Sequence, residues 1–319
     1  MKLLYPFALI YGIITWIRNL LFEVDILKQK SFKIPIISIG NLNIGGSGKT
    51  PHIEYFINFY NKIFNIAVIS RGYGRKTKGF RYVQLSDFAE TCGDEPLQIK
   101  HKFDGMVMAV CEKRVDAISK IMADHPEINL ILLDDAFQHR FVKPSLSILL
   151  TDYSFPFWRD SMLPAGKLRE FGFGYKRANA LIITKCPDSP SIDIPKHIRS
   201  KPIFYSHIEY MTPSVVKGIF SKRIVVISGI ANSVPFITHL KKEGYELIYH
   251  FDFSDHHTFT KADRLNIGIK IKEELACMVL TTEKDYMRFT PSLINEIPNL
   301  AYVPIRIRID NAPENWLTL

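Results

Sequence analysis

The chain has 319 residues, 47% of them hydrophobic and 23% charged, which suits one large domain or two modest ones and excludes a disordered chain. Lys and Arg outnumber Asp and Glu by 41 to 32, so the surface attracts anions, a description that nucleotides, anionic lipids and nucleic acid all meet. The four cysteines, Cys92, Cys111, Cys186 and Cys277, form no C-x-x-C pair, which removes the usual zinc spacing and any disulfide framework and suits a reducing cytoplasm.

The first element is an uncharged run, Leu3 to Ile17 (LLYPFALIYGIITWI), bracketed by Lys2 and Arg18. It falls short of the roughly twenty apolar residues a membrane span needs. No small-residue cleavage site follows, as a secretory signal would require. Flanked by Tyr5, Tyr11, Trp16, Arg18 and Lys28, it suits a helix lying in a membrane interface. The alternative is a helix packed on the protein, with Leu3, Phe7, Ile10, Ile14 and Ile17 as its buried face. Residues 1–30 are assigned to this segment.

After Lys33 short Ile- and Val-rich runs alternate with helical stretches, the pattern of an α/β fold around a parallel sheet. Strands are predicted at Ile34 to Ile39, Ile66 to Ser70, Met106 to Val110, Leu130 to Leu133, Leu146 to Leu150 and Leu181 to Thr184, all in one sheet. A second series, RIVVISGI from Arg223, Glu246 to Phe251 and Met278 to Thr281, predicts a smaller α/β domain. IFYSHIEY, within Ser189 to Val216, and AYVPIRIRI from Ala301 are expected to pair as an extended linker. The division is thus a P-loop-type domain over 31–205 and a smaller domain with the linker strands over 206–319. No fixed-period repeat or low-complexity tract is present.

The run IPIISIGNLNIGGSGKT places an apolar strand, a glycine-rich turn and a helix in the order a phosphate loop requires. Asn43, Ile44, Gly45, Gly46, Ser47, Gly48, Lys49 and Thr50 form the loop. Its backbone N–H groups face phosphate oxygens, Lys49 reaches the β and γ phosphates, and Thr50 ligates magnesium. The full G-x-x-x-x-G-K-[ST] pattern asks for glycine where Asn43 stands; asparagine tolerates similar backbone angles. LILLDDAFQHR supplies Asp134 and Asp135 at the end of an apolar strand, an acidic pair for the same metal.

A phosphoryl acceptor also needs a base. In CGDEP, Asp94 is either that base or the cap of the following helix. In FSDHHTFT, Asp255, His256 and His257 suggest acid–base or metal work, or a plain surface pair. Two basic segments, RGYGRKTKGFR and LPAGKLREFG, are suited to gripping phosphate. Nucleic acid is excluded as partner, because no zinc-finger spacing, RNA-recognition signature or basic helix accompanies them.

Taken in order, SIGNLNIGGSGKTP, SRGYGR, GDEP, DDAFQHR, LPAGKLRE, the TK of ITKCP, DHH and TTEKD resemble the tetraacyldisaccharide 4'-kinase family of lipid A biosynthesis, over most of the chain. The resemblance implies ATP-dependent phosphorylation of the 4'-hydroxyl of an acylated glucosamine disaccharide 1-phosphate at the cytoplasmic face of the inner membrane, with peripheral attachment. It implies Asp94 as acceptor base with His256 supporting it, Lys49 and Thr50 on ATP and Mg2+, and Asp134 and Asp135 near the metal. Arg71, Tyr73, Arg169 and Glu170 would line the nucleotide and sugar-phosphate region, with Gln138 and His139 behind them. Asp94 and His256 lie in different lobes, so a hinge that closes is expected. Lys167 after LPAG departs from the proline expected in many relatives. A GTP-binding switch is the alternative, since ITKCPD is similar to a guanine-reading loop, but Asp188 falls one residue late. A membrane-associated nucleotide-binding protein without chemistry is opposed by the intact Lys49, Thr50, Asp94 and acidic pair.

Overall fold

The computed structural model describes residues 2–255, 257–274 and 277–319. All six predicted strands lie in one sheet: β1 (Ile36–Asn41), β2 (Ile66–Ser70), β4 (Val107–Val110), β5 (Leu130–Asp134), β6 (Leu146–Asp152) and β7 (Ala180–Thr184), with β3 (Arg81–Tyr82) on one edge. β8 (Ile203–Tyr210) and β14 (Ile305–Ile309) extend the other edge, giving the order β14-β8-β7-β6-β1-β5-β2-β4-β3. β1 pairs in parallel with both β5 and β6. The chain therefore reverses its direction of travel across the sheet at β1, and a crevice opens beyond the carboxyl ends of these strands.

β1, β2, β5 and β7 are buried along their whole length, which is why they read as continuous apolar runs rather than alternating ones. Alternate side chains still serve opposite faces. Ile37 and Ile39 pack with Phe56 and Trp316, whereas Ile36 joins Ile69, Ile118 and Ile131. The first face is covered by α2 (Lys49–Tyr60), the second by α5 (Arg114–Asp124).

A second sheet, ordered β11-β10-β12-β13-β9, carries the smaller lobe: β9 (Ser214–Lys217), β10 (Arg223–Ser228), β11 (Glu246–Asp252), β12 (Met278–Thr282) and β13 (Leu300–Val303). AYVPIRIRI does not act as one ribbon. Ala301 to Val303 sit in the smaller sheet beside β12, and only Ile305 to Ile309 pair with IFYSHIEY. The break falls at Pro304, which has no N–H to give a ladder. The chain thus passes between sheets twice, at 211–213 and at Pro304, and the crossings are joined by the Met211 N–H donating to the Pro304 carbonyl at 2.8 Å.

The N-terminal helix α1 spans Tyr5–Glu23 and is long and apolar enough to cross a membrane by length and composition. The stripe Leu3, Phe7, Ile10, Ile14 and Ile17 is not its buried face: these residues are 86%, 61%, 57%, 60% and 46% exposed. The helix instead turns Ala8, Gly12, Asn19 and Phe22 toward the protein. Small residues are needed there because the Phe171 ring approaches so closely that a Cβ on Gly12 would stand 2.5 Å from its Cζ.

Candidate active site

The loop between β1 and α2 ends at Gly48, whose φ of 78° precedes the first helical residue, Lys49. Asn43 does not have a positive φ, so the missing glycine is not replaced by backbone tolerance. Its amide instead donates to Asp160 at 2.6 Å and ties the loop to the LPAGKLRE segment. Lys185, from the ITKCP segment after β7, donates its ammonium to the Gly46 carbonyl and, at 2.8 Å, to Asp152 at the end of β6. From below, the loop's helix is tied to β8 through His52, which is fully buried. Its Nδ1 donates to the Gly48 carbonyl at 2.7 Å, leaving Nε2 to accept from Ser206 at 2.9 Å. Burial lowers the His52 pKa to about 4 against the opposing pull of the Gly48 carbonyl, so the imidazole is neutral at pH 7.

The acidic pair closes onto this loop because β5 ends beside β1. Gly40 admits it: a Cβ there would lie 2.7 Å from the Cβ of Phe137 and 2.8 Å from its backbone nitrogen. Gly40→Ala is expected to lower the melting temperature by several degrees, since overpacking of this kind costs about 1–3 kcal/mol. An unchanged melting curve would show that the Phe137 segment gives way freely.

Asp135 has a φ of 46°, a strained conformation for a residue with a side chain. Its carboxylate accepts two bonds from Arg169, at 2.8 and 3.2 Å, and lies 3.9 Å from the Lys49 ammonium. Burial works to raise its pKa, but Lys49 and Arg169 outweigh that and hold it below the ordinary carboxylate value. Asp134 lies deeper. One oxygen accepts from Ser70 at 2.8 Å and the other, Oδ1, has no hydrogen-bond partner. Burial, then the negative charges of Glu95 and Asp135, raise its pKa to about 7. Thr50 Oγ1 and Ser47 Oγ are likewise buried without partners. Buried oxygens are rarely left so, and this set is suited to ligating a cation.

The acceptor segments converge on the same crevice. Asp94 is buried in the first turn of α4 (Asp94–Lys102), after Gly93. The SRGYGR backbone packs against Gly93, where a Cβ would stand 3.1 Å from the Tyr73 carbonyl, so the exposed Tyr73 lies beside the turn that leads into Asp94, while Arg71 adds to the positive field at His139. Glu170 is buried and accepts from Asn19 of α1 at 2.6 Å, Gln138 at 3.1 Å and Arg177 at 2.7 Å. Arg18 donates to the Gln138 carbonyl at 3.2 Å. Burial first, then Arg114, Arg18 and Arg71, lower the His139 pKa to about 4, leaving it neutral within a cationic rim. Gln138 and Glu170 thus fasten α1 to the segment that bears the acidic pair.

The smaller lobe meets this rim directly. Ala231 lies 3.7 Å from where a Cβ on Gly46 would stand. Lys284 reaches Asp255 at 3.2 Å and Glu95 at 3.8 Å, and Lys102 of α4 reaches Glu54 of α2 at 2.7 Å and Glu283 at 3.1 Å. His256 lies outside the described residues. His257 is engaged with Asp263 at 2.9 Å and stacks on Phe253. Two arginines that no motif in the sequence marked also belong here. Arg114 donates to the carbonyls of Cys111 at 2.9 Å and Asp134 at 3.2 Å, pinning the ends of β4 and β5. Arg288 stands 3.7 Å from Asp94.

The chain matches the family described as Tetraacyldisaccharide-1-P 4'-kinase over residues 1–319. Proteins named Tetraacyldisaccharide 4'-kinase from Flavobacterium johnsoniae and Bacteroides thetaiotaomicron are 40% and 39% identical to it, covering 99% and 97% of this chain and 94% and 89% of their own lengths. The crystal structure of the "apo" form LpxK from Aquifex aeolicus in complex with ATP superposes with a TM-score of 0.80 at 27% identity, over 97% of this chain and 95% of that one. Phosphate loop, acidic pair, two-lobed fold and full-length sequence similarity agree, and the chain belongs to the tetraacyldisaccharide 4'-kinase family.

Proposed function

We propose that this protein transfers the γ-phosphate of ATP to the 4'-hydroxyl of a tetraacylated glucosamine disaccharide 1-phosphate, as the names of its relatives suggest. The observation that carries this reading is the fastening of α1 to the phosphate-binding crevice. Arg18 and Asn19, on the helix with the exposed apolar stripe, bond to Gln138 and Glu170 beside the acidic pair. An acyl-chain-bearing acceptor held at a membrane surface would meet that apolar stripe first and the crevice next.

The residues present fit magnesium. Thr50 Oγ1 and Asp134 Oδ1 are buried, unpartnered oxygens, the donors a hard divalent cation takes, and Asp135 is held ionised beside them. Bound there with ATP, the ion would neutralise charge on the phosphates. The loop N–H groups and Lys49 orient the triphosphate, and Arg169 keeps Asp135 turned toward Lys49. Asp94 accepts the proton of the attacking hydroxyl, and Ala231 with the rest of the smaller lobe excludes water from the loop. Closure of that lobe pivots at 211–213 and Pro304, where the chain changes sheets.

The test is incubation with γ-labelled ATP, magnesium and a tetraacyldisaccharide 1-phosphate in detergent. Label in the lipid that disappears in Asp94→Asn supports the reading. Nucleotide binding without transfer, equally strong with GTP, overturns it in favour of a switch.

Location at the cytoplasmic face of the inner membrane, by peripheral attachment, is part of the same proposal. Ile10→Glu with Ile14→Glu is expected to abolish most co-sedimentation with phosphatidylglycerol vesicles at an unchanged melting temperature, because both positions face outward. Undiminished vesicle binding would remove α1 from the attachment site.

A further inference from the structure

Arg288 has no place in the phosphate loop, the acidic pair or any other motif, yet its side chain is only 7% exposed and reaches across the lobes. It follows the short helix α8 (Glu283–Tyr286) of the smaller lobe. Its Nη2 donates to the Gly229 carbonyl at 2.8 Å and to the carboxylate of Asp285. Nη1 donates to the His257 carbonyl at 3.3 Å. Asp285 is itself fixed, accepting from the Gly229 N–H at 3.0 Å and from Thr282 Oγ1 at 2.7 Å. One planar guanidinium therefore joins Gly229 in the turn after β10, Asp285 of α8 and the backbone at His257. A flexible point charge such as lysine could not hold these three partners at once.

The remaining edge of the guanidinium is turned to the larger lobe. Nε is buried without a hydrogen-bond partner and lies 3.7 Å from Asp94 Oδ2. That separation is about 1 Å longer than an ordinary charge-assisted hydrogen bond of roughly 2.7–2.9 Å. A small closing movement of the smaller lobe would complete it. The opposite oxygen of Asp94 accepts from the Glu95 N–H at 2.9 Å. After that movement the two bonds together would define the plane of the carboxylate, set partly from the other lobe.

We propose that Arg288 is a positioning residue for Asp94, delivered by the smaller lobe, which orients the carboxylate toward the acceptor hydroxyl and holds the backbone at His257 in register with it. The proposal rests on the reading of Asp94 as the acceptor base. Because the same guanidinium carries the His257 carbonyl, closure of the lobes and alignment of the base become one event.

The experiment is a double-mutant cycle on the full chain with γ-labelled ATP and a tetraacyldisaccharide 1-phosphate. R288Q is expected to lower kcat about 10- to 100-fold, with KM for ATP within about twofold, since its contacts lie on the acceptor side. In an Asp94→Asn background the same substitution should cost less than about twofold, because the group it positions is gone. R288K keeps the charge and most of the volume, and should show a smaller kcat loss in the Asp94 background and none in Asp94→Asn. It also carries the test if R288Q does not fold. An equal loss in both backgrounds, or a loss expressed only in KM for ATP or in melting temperature, overturns the positioning role while leaving Asp94 as base. If Asp94→Asn alone retains kcat, the base reading fails and this proposal falls with it.

Discussion

Lys49→Ala is expected to fold normally and lose about a hundred- to a thousandfold in kcat, the usual cost of removing one preorganised donor aimed at developing charge. The fold should survive because Lys49 is the first residue of α2 and, among the described residues, its ammonium pairs with Asp135 alone, at 3.9 Å, while Asp135 keeps its two bonds to Arg169. Chemistry should not survive, because no other side chain of the loop carries positive charge. Lys185, which also reaches the loop, is committed to the Gly46 carbonyl and to Asp152, and Arg169 is committed to Asp135. Lys49→Arg should recover little, since a planar fork does not reproduce a compact ammonium in a loop shaped around phosphates. The measurement is label transfer to lipid alongside a melting curve; wild-type turnover in Lys49→Ala would end the phosphoryl-transfer mechanism.

Asp94→Asn should cost about 100- to 10,000-fold in kcat, the range for loss of a general base. Asparagine keeps the shape and can still accept from the Glu95 N–H, so the first turn of α4 should stand. ATP affinity should move little, because a base acts on the acceptor proton in the transition state. A rise confined to the Michaelis constant for ATP would make Asp94 a nucleotide-binding residue. Either result would be informative about the crevice as a whole, since Glu95, next in sequence, contributes to the field that keeps the Asp134 pKa high.

The parts of this site legible in the sequence are those whose chemistry dictates local pattern. A phosphate loop needs glycines at set spacing between strand and helix, and buried parallel strands need unbroken apolar runs. The six strands, and the placing of Lys49 and Thr50 at the start of α2 beside Asp134 and Asp135 at the end of β5, were readable for that reason. Residues that act through tertiary contact left no such mark. His52, Arg114 and Arg288 each look like an ordinary polar residue in a helix or turn, and only the fold brings Ser206, Asp134 or Asp94 to them. On α1 the periodicity identified the apolar stripe correctly but not which side the protein covers. Close packing against Phe171 selects the small residues Ala8 and Gly12, so the larger apolar side chains face outward. The linker strands misled differently: AYV and IRIRI are equally extended, and the proline between them was the only sign that they serve two sheets.

The wrapping of α2 has a consequence for how the protein is made. Trp316 is fully buried against Phe56 and Phe204, and Tyr60 bonds to Asn315 across 255 residues of sequence. The helix that begins with Lys49 leaves the ribosome well before the side chains that seal its core face, Tyr60 preceding Asn315 by 255 residues. Apolar surface on α2 must wait, exposed, through synthesis of the entire smaller lobe. Chaperone demand during translation, and sensitivity to truncation or fusion just after Ile309, are therefore built into the chain order of this fold.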